Sequence, residues 1–350
     1  MNKYILLVMS FMASPAAFSQ GPNDTGTYYQ AADGKKGAEL KTALFQIISP
    51  HEMQSYTPGV WNGINSYDIR PDGCVWDIYS GISNFTPVTD QDRGADINDE
   101  GVVYNREHAM PKSWFNEGSS DQSYPMYTDL HHLFPTDRAV NSMRSNYPYG
   151  ELDPNRNPTK QSAGGFSKFG VCDPAIGYTV VNGVARVFEP NDEYKGDLAR
   201  VYFYMATCYE AYQSNAGKER SPKNWSSPML TSDIYPFFTD WAIRMLLRWA
   251  IEDPISEKEI RRNEAIYGIQ KNRNPFVDYP GLEQYIWGSE KETAFSYNNY
   301  TEPTTTGISE LHKQVAPSGD TLYNLNGQRV GGKQHKKGVF IKRGRKVVVK

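Results

Sequence analysis

Between Tyr104 and Tyr149 the chain gathers Arg106-Glu107-His108, then Asp129-Leu130-His131-His132, then a stretch from Arg138 to Asn146 that carries Asn141 and Arg144. Three of the six histidines fall in this window, so imidazole chemistry is concentrated here rather than spread along the chain. Histidine, carboxylate, amide and guanidinium together can hold a divalent cation beside a base that activates water, with cations nearby to grip an anion. Hydrolysis of a phosphodiester needs a deprotonated water, charge stabilisation on the phosphorane and help for the leaving alkoxide. His108 can supply the first, because free imidazole titrates near neutrality. A single Mg²⁺, a hard cation that prefers oxygen ligands, can supply the other two. Glu107 and Asn141 are suitable ligands, since one acid and one neutral amide leave the ion surplus positive charge.

These side chains need particular elements to bring them together. Val102-Val103-Tyr104 reads as a strand running into Glu107 and His108. Neighbours in a regular strand face opposite ways, so the pair shares a site only if the strand ends or bulges there, as Pro111 just downstream suggests. Leu130 to Phe134 is a second short apolar run, and Arg138 to Arg144 reads as a short helix. Taken singly, each piece has a blander reading. Glu-His is a common surface pair, and Asn141 alone suits a cap or turn. His131 and His132 cannot easily both face one metal, and read as packing or surface histidines. The joint pattern carries the signal.

Around this window the sequence predicts a helix over Ala38 to Ile48 and loops with short strands over residues 58 to 103. Residues 147 to 170 read as loop, and Gly177 to Phe188 as a hairpin turning at Asn182-Gly183. Three helices are expected over Asp197 to Tyr212, Pro236 to Ile251 and Ser256 to Gln270, the last capped by Ser256. Their aromatic and methionine positions read as core. Residues 1 to 19, with Lys3, an apolar run too short to span a bilayer and Ala17-Phe18-Ser19, read as a signal peptide. A catalytic domain is expected over 20 to 300, a linker over 301 to 310 and a small β tail over 311 to 350.

Cys74, Cys172 and Cys208 allow one disulfide with a thiol left over, or three buried thiols. The net charge of −3 conceals an asymmetry: residues 311 to 350 hold ten Lys/Arg against Asp320, which is +9, and leaves −12 on residues 1 to 310. So acidic a body is unusual for a nonspecific DNA binder. Any positive charge at the site must be local, or supplied by bound metal.

Three segments carry a resemblance: Asn105 to Phe115 (NREHAMPKSWF), Asp129 to Pro135 (DLHHLFP) and Val140 to Asn146 (VNSMRSN). With Phe188-Glu189-Pro190, Lys195 to Arg200 (KGDLAR) and Asn272 to Phe276 (NRNPF), they closely resemble the bacterial endonuclease I family over about residues 40 to 290. The resemblance implies an α+β fold, with a ββα-metal nuclease core surrounded by helices. It implies a secreted or periplasmic Mg²⁺-dependent endonuclease of little sequence specificity, leaving 5′-phosphate and 3′-hydroxyl ends on DNA, with RNA open.

By the same resemblance His108 is the general base and Glu107 and Asn141 are the metal ligands. His132 stands where relatives often have Asn and supports the site. Arg144 and Asn146 steady the ligand helix or contact phosphate, and Arg106 and Arg138 are further candidates for binding substrate. Lys271 replaces a Gly common in relatives, so that turn is expected to differ. The tail, with Tyr323 to Val330 and Gly338 to Lys350, resembles C-terminal sorting modules of exported Bacteroidetes proteins. This implies a secretion apparatus as partner and a cell-surface or free extracellular enzyme; a basic tether for DNA is the alternative. A monomer is expected. Two other functions stay open: a non-catalytic nucleic-acid-binding protein on an inactivated nuclease fold, and a phosphodiesterase of small substrates.

Overall fold

The computed structural model describes residues 25–94, 98–115, 124–213, 225–231 and 233–303, together with the strands of a C-terminal unit. Residues 1–303 and 304–350 are separate compact units. The expected signal peptide lies outside the described residues.

In the first unit, α1 (Gly37–Ile48) and α2 (Gly59–Tyr67) precede a two-stranded antiparallel ribbon of β1 (Tyr104–His108) and β2 (Leu133–Asp137), which runs straight into α3 (Arg138–Arg144). A three-stranded antiparallel sheet follows: β3 (Lys160–Gln161), β4 (Lys168–Val171) and β5 (Arg186–Glu189), in that order. Next come α4 (Lys195–Cys208), α5 (Glu210–Gln213), α6 (Asp240–Glu252), α7 (Glu257–Gln270), α8 (Pro275–Asp278) and α9 (Leu282–Ile286).

Helix α4 is the axis of the core, with every one of its residues buried. A helix covered on all sides must neutralise its charges internally. Accordingly Arg200 donates from Nε and Nη2 to both oxygens of Glu259 (2.6 and 2.8 Å), and Lys258 reaches Asp197 at 3.2 Å. Helix α7 begins on the expected Ser256 cap, completed as a capping box with Glu259. It ends at Lys271, whose φ of 68° is a left-handed conformation that glycine adopts without steric cost. The turn into Asn272 to Pro275 is therefore made in spite of the lysine, whose Nζ donates to the Gly268 carbonyl at 2.7 Å.

Several expectations over the middle of the chain are corrected. Residues 59–67 form helix α2, although two glycines and two asparagines give the segment a loop-like composition; its buried face of Val60, Trp61 and Ile64 decides. Within 147–170, β3 and β4 are strands, and β4 pairs with β5 across residues 172–185, so the expected Gly177–Phe188 hairpin is absent. Val180, Val181 and Val184 are exposed, which leaves that stretch no apolar face to hold a strand register. All three cysteines are free thiols.

The second unit contains an antiparallel sheet of β6 (Leu322–Tyr323), β7 (Arg329–Val330), β8 (Gly338–Lys342) and β9 (Arg345–Val349), ordered β7-β6-β8-β9. The tail is thus a small β unit. No helix among the described residues is long and apolar enough to cross a membrane.

Candidate active site

Strand β1 ends at His108, and this solves the facing problem. Glu107 and His108 sit opposite Phe134 and Leu133, after which the chain leaves the ribbon. Both side chains line one cleft of about 840 Å³, together with Asn141, Arg106, Lys112 and Asn146. Asp137, the last residue of β2, caps α3 by accepting hydrogen bonds from the amides of Ala139 and Val140 at 2.8 and 3.1 Å. The cap fixes the start of the helix and so places Asn141 one turn in, against β1.

At each of the three central residues, part of the polar group is held and part is left for chemistry. His108 donates from Nε2 to the Tyr127 carbonyl at 2.9 Å, which fixes the proton on Nε2 and leaves Nδ1 as a lone pair. Burial drives its pKa well below that of free imidazole, with the neighbouring His132 next in importance. The ring is therefore a neutral base at physiological pH. Glu107 accepts on Oε1 from Tyr79 and from Arg144, both at 2.7 Å. Its pKa is raised by burial and pulled back by Arg144, then by hydrogen bonds from Tyr79 and Asn141. Asn141 donates from Nδ2 to Asn105 Oδ1 at 2.8 Å and to Thr136 Oγ1 at 3.3 Å, which turns its carbonyl oxygen away from those partners.

Oε2 of Glu107 and Oδ1 of Asn141 are oxygen donors of the type a hard divalent cation takes. Among the described residues no three His, Cys, Asp or Glu side chains cluster to hold an ion. A thiolate or polyhistidine centre is therefore not assembled by them, whereas an acid-plus-amide pair with completing waters fits.

The other expected residues divide by position. Arg106 lines the cleft with its guanidinium over Tyr56 and Trp61, at 3.5 and 4.4 Å from the ring centroids, and donates to the Tyr56 carbonyl and to Thr57. Asn146 lines the cleft and is exposed. Arg144 borders the cleft but is 1% exposed. Its Nη1 holds Glu107 and the His108 carbonyl, and its Nη2 holds the Ala109 carbonyl at 2.7 Å. Its Nη donors are thus engaged by protein behind Glu107, while its Nε has no partner among the described residues. His132 is fully buried outside the cleft lining, its ring 5.3 Å from that of His108 and its Nε2 donating to the Met126 carbonyl at 2.5 Å. Burial pushes its pKa down to about 4, so it meets His108 as a neutral ring. Arg138 lies outside the cleft lining and pairs with Asp92 at 3.5 Å.

Sequence reasoning missed Tyr79, Tyr149, Asn105, Thr136 and Lys112. The two tyrosine hydroxyls are 2.5 Å apart and brace Glu107 from behind. Gly150 is part of this brace, since a Cβ there would lie 2.5 Å from Val187 and force the Tyr149 segment off β5. With 24 tyrosines in the chain, type alone could not single these out. Asn105 and Thr136 face each other across the ribbon, a pairing that only the register reveals.

The chain matches the sequence profile of the Endonuclease I family over residues 36–281. It is 34% identical over 298 residues to an extracellular ribonuclease of Bacillus amyloliquefaciens, covering 82% of this chain and 89% of that protein. The corresponding extracellular ribonuclease of Bacillus subtilis is 34% identical over 286 residues, covering 81% and 83%. A periplasmic deoxyribonuclease of Aeromonas hydrophila is 24% identical over 258 residues, covering 72% and 89%. A ribbon-and-helix site with one base, one acid and one amide, set in a chain matched over most of its first unit, makes this protein a nuclease of the Endonuclease I family.

Proposed function

We propose that the enzyme is exported and hydrolyses DNA phosphodiesters with little sequence specificity, using Mg²⁺, and cleaves RNA at the same centre. The observation that carries this reading is the bare Nδ1 of His108 on the same cleft wall as Glu107 and Asn141. Nδ1 takes a proton from the attacking water, and the resulting imidazolium is held by its Nε2–H on the Tyr127 carbonyl. Glu107 and Asn141 would hold the cation, and Arg144, Tyr79 and Asn105 fix both side chains. A divalent ion bound there supplies positive charge to the phosphorane and to the departing 3′ oxygen. Arg106 and Lys112 meet the non-bridging and flanking phosphate oxygens from the cleft wall. Rupture of the bond to the 3′ oxygen leaves the phosphate on the 5′ side of the product.

The relatives' names divide between ribonuclease and deoxyribonuclease, which supports one phosphate-centred site serving both sugars. Their extracellular and periplasmic descriptions support export, for which residues 1–19 are the proposed signal and 311–350 the proposed sorting module. The test is digestion of supercoiled plasmid and of RNA, with Mg²⁺ and with chelator, by wild type and His108→Ala. Mg²⁺-dependent cleavage of both polymers that disappears in the variant is expected. Near-normal turnover by His108→Ala contradicts the reading.

A further inference from the structure

A second cleft of about 600 Å³ opens beside the catalytic one, and Ser113 and Asn146 line both. Its character changes abruptly. The catalytic cleft carries Arg93, Arg106 and Lys112, whereas the described lining of the second holds no charged side chain and includes the rings of Trp114, Tyr147 and Tyr178. Tyr147 leans on Phe169 with centroids 4.4 Å apart, yet is 36% exposed; Tyr178 stacks on Trp241 at 4.8 Å and 17°. Both rings are thus held in place from beneath.

Chain geometry ties this wall to the metal-ligand helix. Helix α3 ends at Arg144, and Ser145 turns the backbone with φ 54°, an uncommon conformation for a residue other than glycine. That turn delivers Asn146 to both clefts and Tyr147 to the second, within six residues of Asn141.

Building on the nuclease reading above, we propose that the second cleft is a subsite for unpaired nucleotides flanking the scissile phosphate, with Tyr147 and Tyr178 stacking on their bases. A duplex turns its phosphates outward and hides its base faces, so a neutral aromatic groove offers it little. Single strands expose every π face, and sequence-tolerant stacking on aromatic side chains is the common way of binding them. The acidic body adds weight, because the net −12 of residues 1–310 gives little long-range attraction for duplex phosphates.

The test compares kcat/KM on single-stranded and duplex oligonucleotides of one sequence, with full-length protein and Mg²⁺. Tyr147→Ala is expected to lower the single-strand to duplex ratio about tenfold, the scale of one base–aromatic stack, and Tyr147→Phe to restore it. Should the alanine variant fail to fold, Tyr147→Leu keeps apolar cover on Phe169 while removing the π face, and the same drop is expected. A ratio within twofold of wild type in the alanine or leucine variant, or a phenylalanine variant as impaired as alanine, overturns the subsite. The nuclease reading stands in that case, provided cleavage by wild type still depends on Mg²⁺ and His108.

Discussion

Two regions of this molecule bury an arginine against an acid, and they do it differently. Beneath the core, Arg200 occupies both oxygens of Glu259, and Arg273 grips both oxygens of Asp278 at 2.8 and 2.9 Å, with Tyr29 and Asn263 adding further donors to that carboxylate. At the cleft, Arg144 and Tyr79 converge on one oxygen of Glu107, and among the described residues no arginine spans both. His108 and Asn141 are likewise each fixed through one nitrogen, and both line the cleft. A saturated carboxylate is architecture. A half-satisfied one on a cleft wall is a candidate binding atom; Asp68, held by Arg262 through Oδ1 with Oδ2 buried and unpartnered among the described residues, lies outside that wall.

This contrast yields predictions of decreasing size. Removing the base should cost most: His108→Ala should lower kcat by at least about a thousandfold, read from initial rates on plasmid, with the urea midpoint near wild type. Glu107→Ala should lower activity by about a hundredfold or more and shift the Mg²⁺ activation curve to higher concentration. An unchanged curve removes Glu107 as a ligand. In the saturated region the loss should be of stability instead. Arg200→Ala leaves Glu259 buried without its partner and should cost about 3–5 kcal/mol in urea unfolding; a stable variant would break the comparison.

Acid should act on the histidines behind the site. Burial pushes His131 and His132 down to about 4, against about 6.5 in an unfolded chain. The unfolded chain then binds more protons below pH 6.5. Their contribution is therefore complete above that pH and declines as pH falls towards 4, by up to about 3 kcal/mol per ring. Asp77, Asp253, Glu259 and Glu283, raised by burial to about 7, oppose this, so the test is comparative. Lowering pH from 7.5 to 5 should cost His132→Gln less than wild type, and an equal change in urea midpoint in both would contradict this. The smallest effect is expected at Lys271, whose positive φ glycine tolerates better: Lys271→Gly should stabilise by at most about 1 kcal/mol without altering cleavage.

The sequence displays the site's reactive residues more plainly than their supports. Glu107, His108 and Asn141 stand out because their chemistry is specific and their segments are short. Helix α3 lies where its pattern puts it, whereas the ribbon is shifted from the expected runs: β1 begins at Tyr104 rather than Val102, and β2 passes through Pro135 to Asp137. The bracing shell was illegible. Tyr149 reaches Glu107 only through Tyr79, and the approach of Gly150 to Val187 depends on β5. Arg144 shows the limit: its type suggests phosphate binding, and only its burial shows that its Nη donors already serve Glu107 and two carbonyls. Helix α2 escaped notice for the opposite reason, since tertiary burial of Val60 and Ile64 outweighs a loop-like composition.

The central claim is that Glu107 and Asn141 hold one cation while His108 serves as a base without binding it. Titration of Mn²⁺ followed by electron paramagnetic resonance, on wild type, Glu107→Ala and His108→Ala, tests it most directly. One ion per chain in wild type and His108→Ala, with binding lost in Glu107→Ala, is the predicted result. Undiminished affinity in Glu107→Ala, or loss of the ion in His108→Ala, would contradict it.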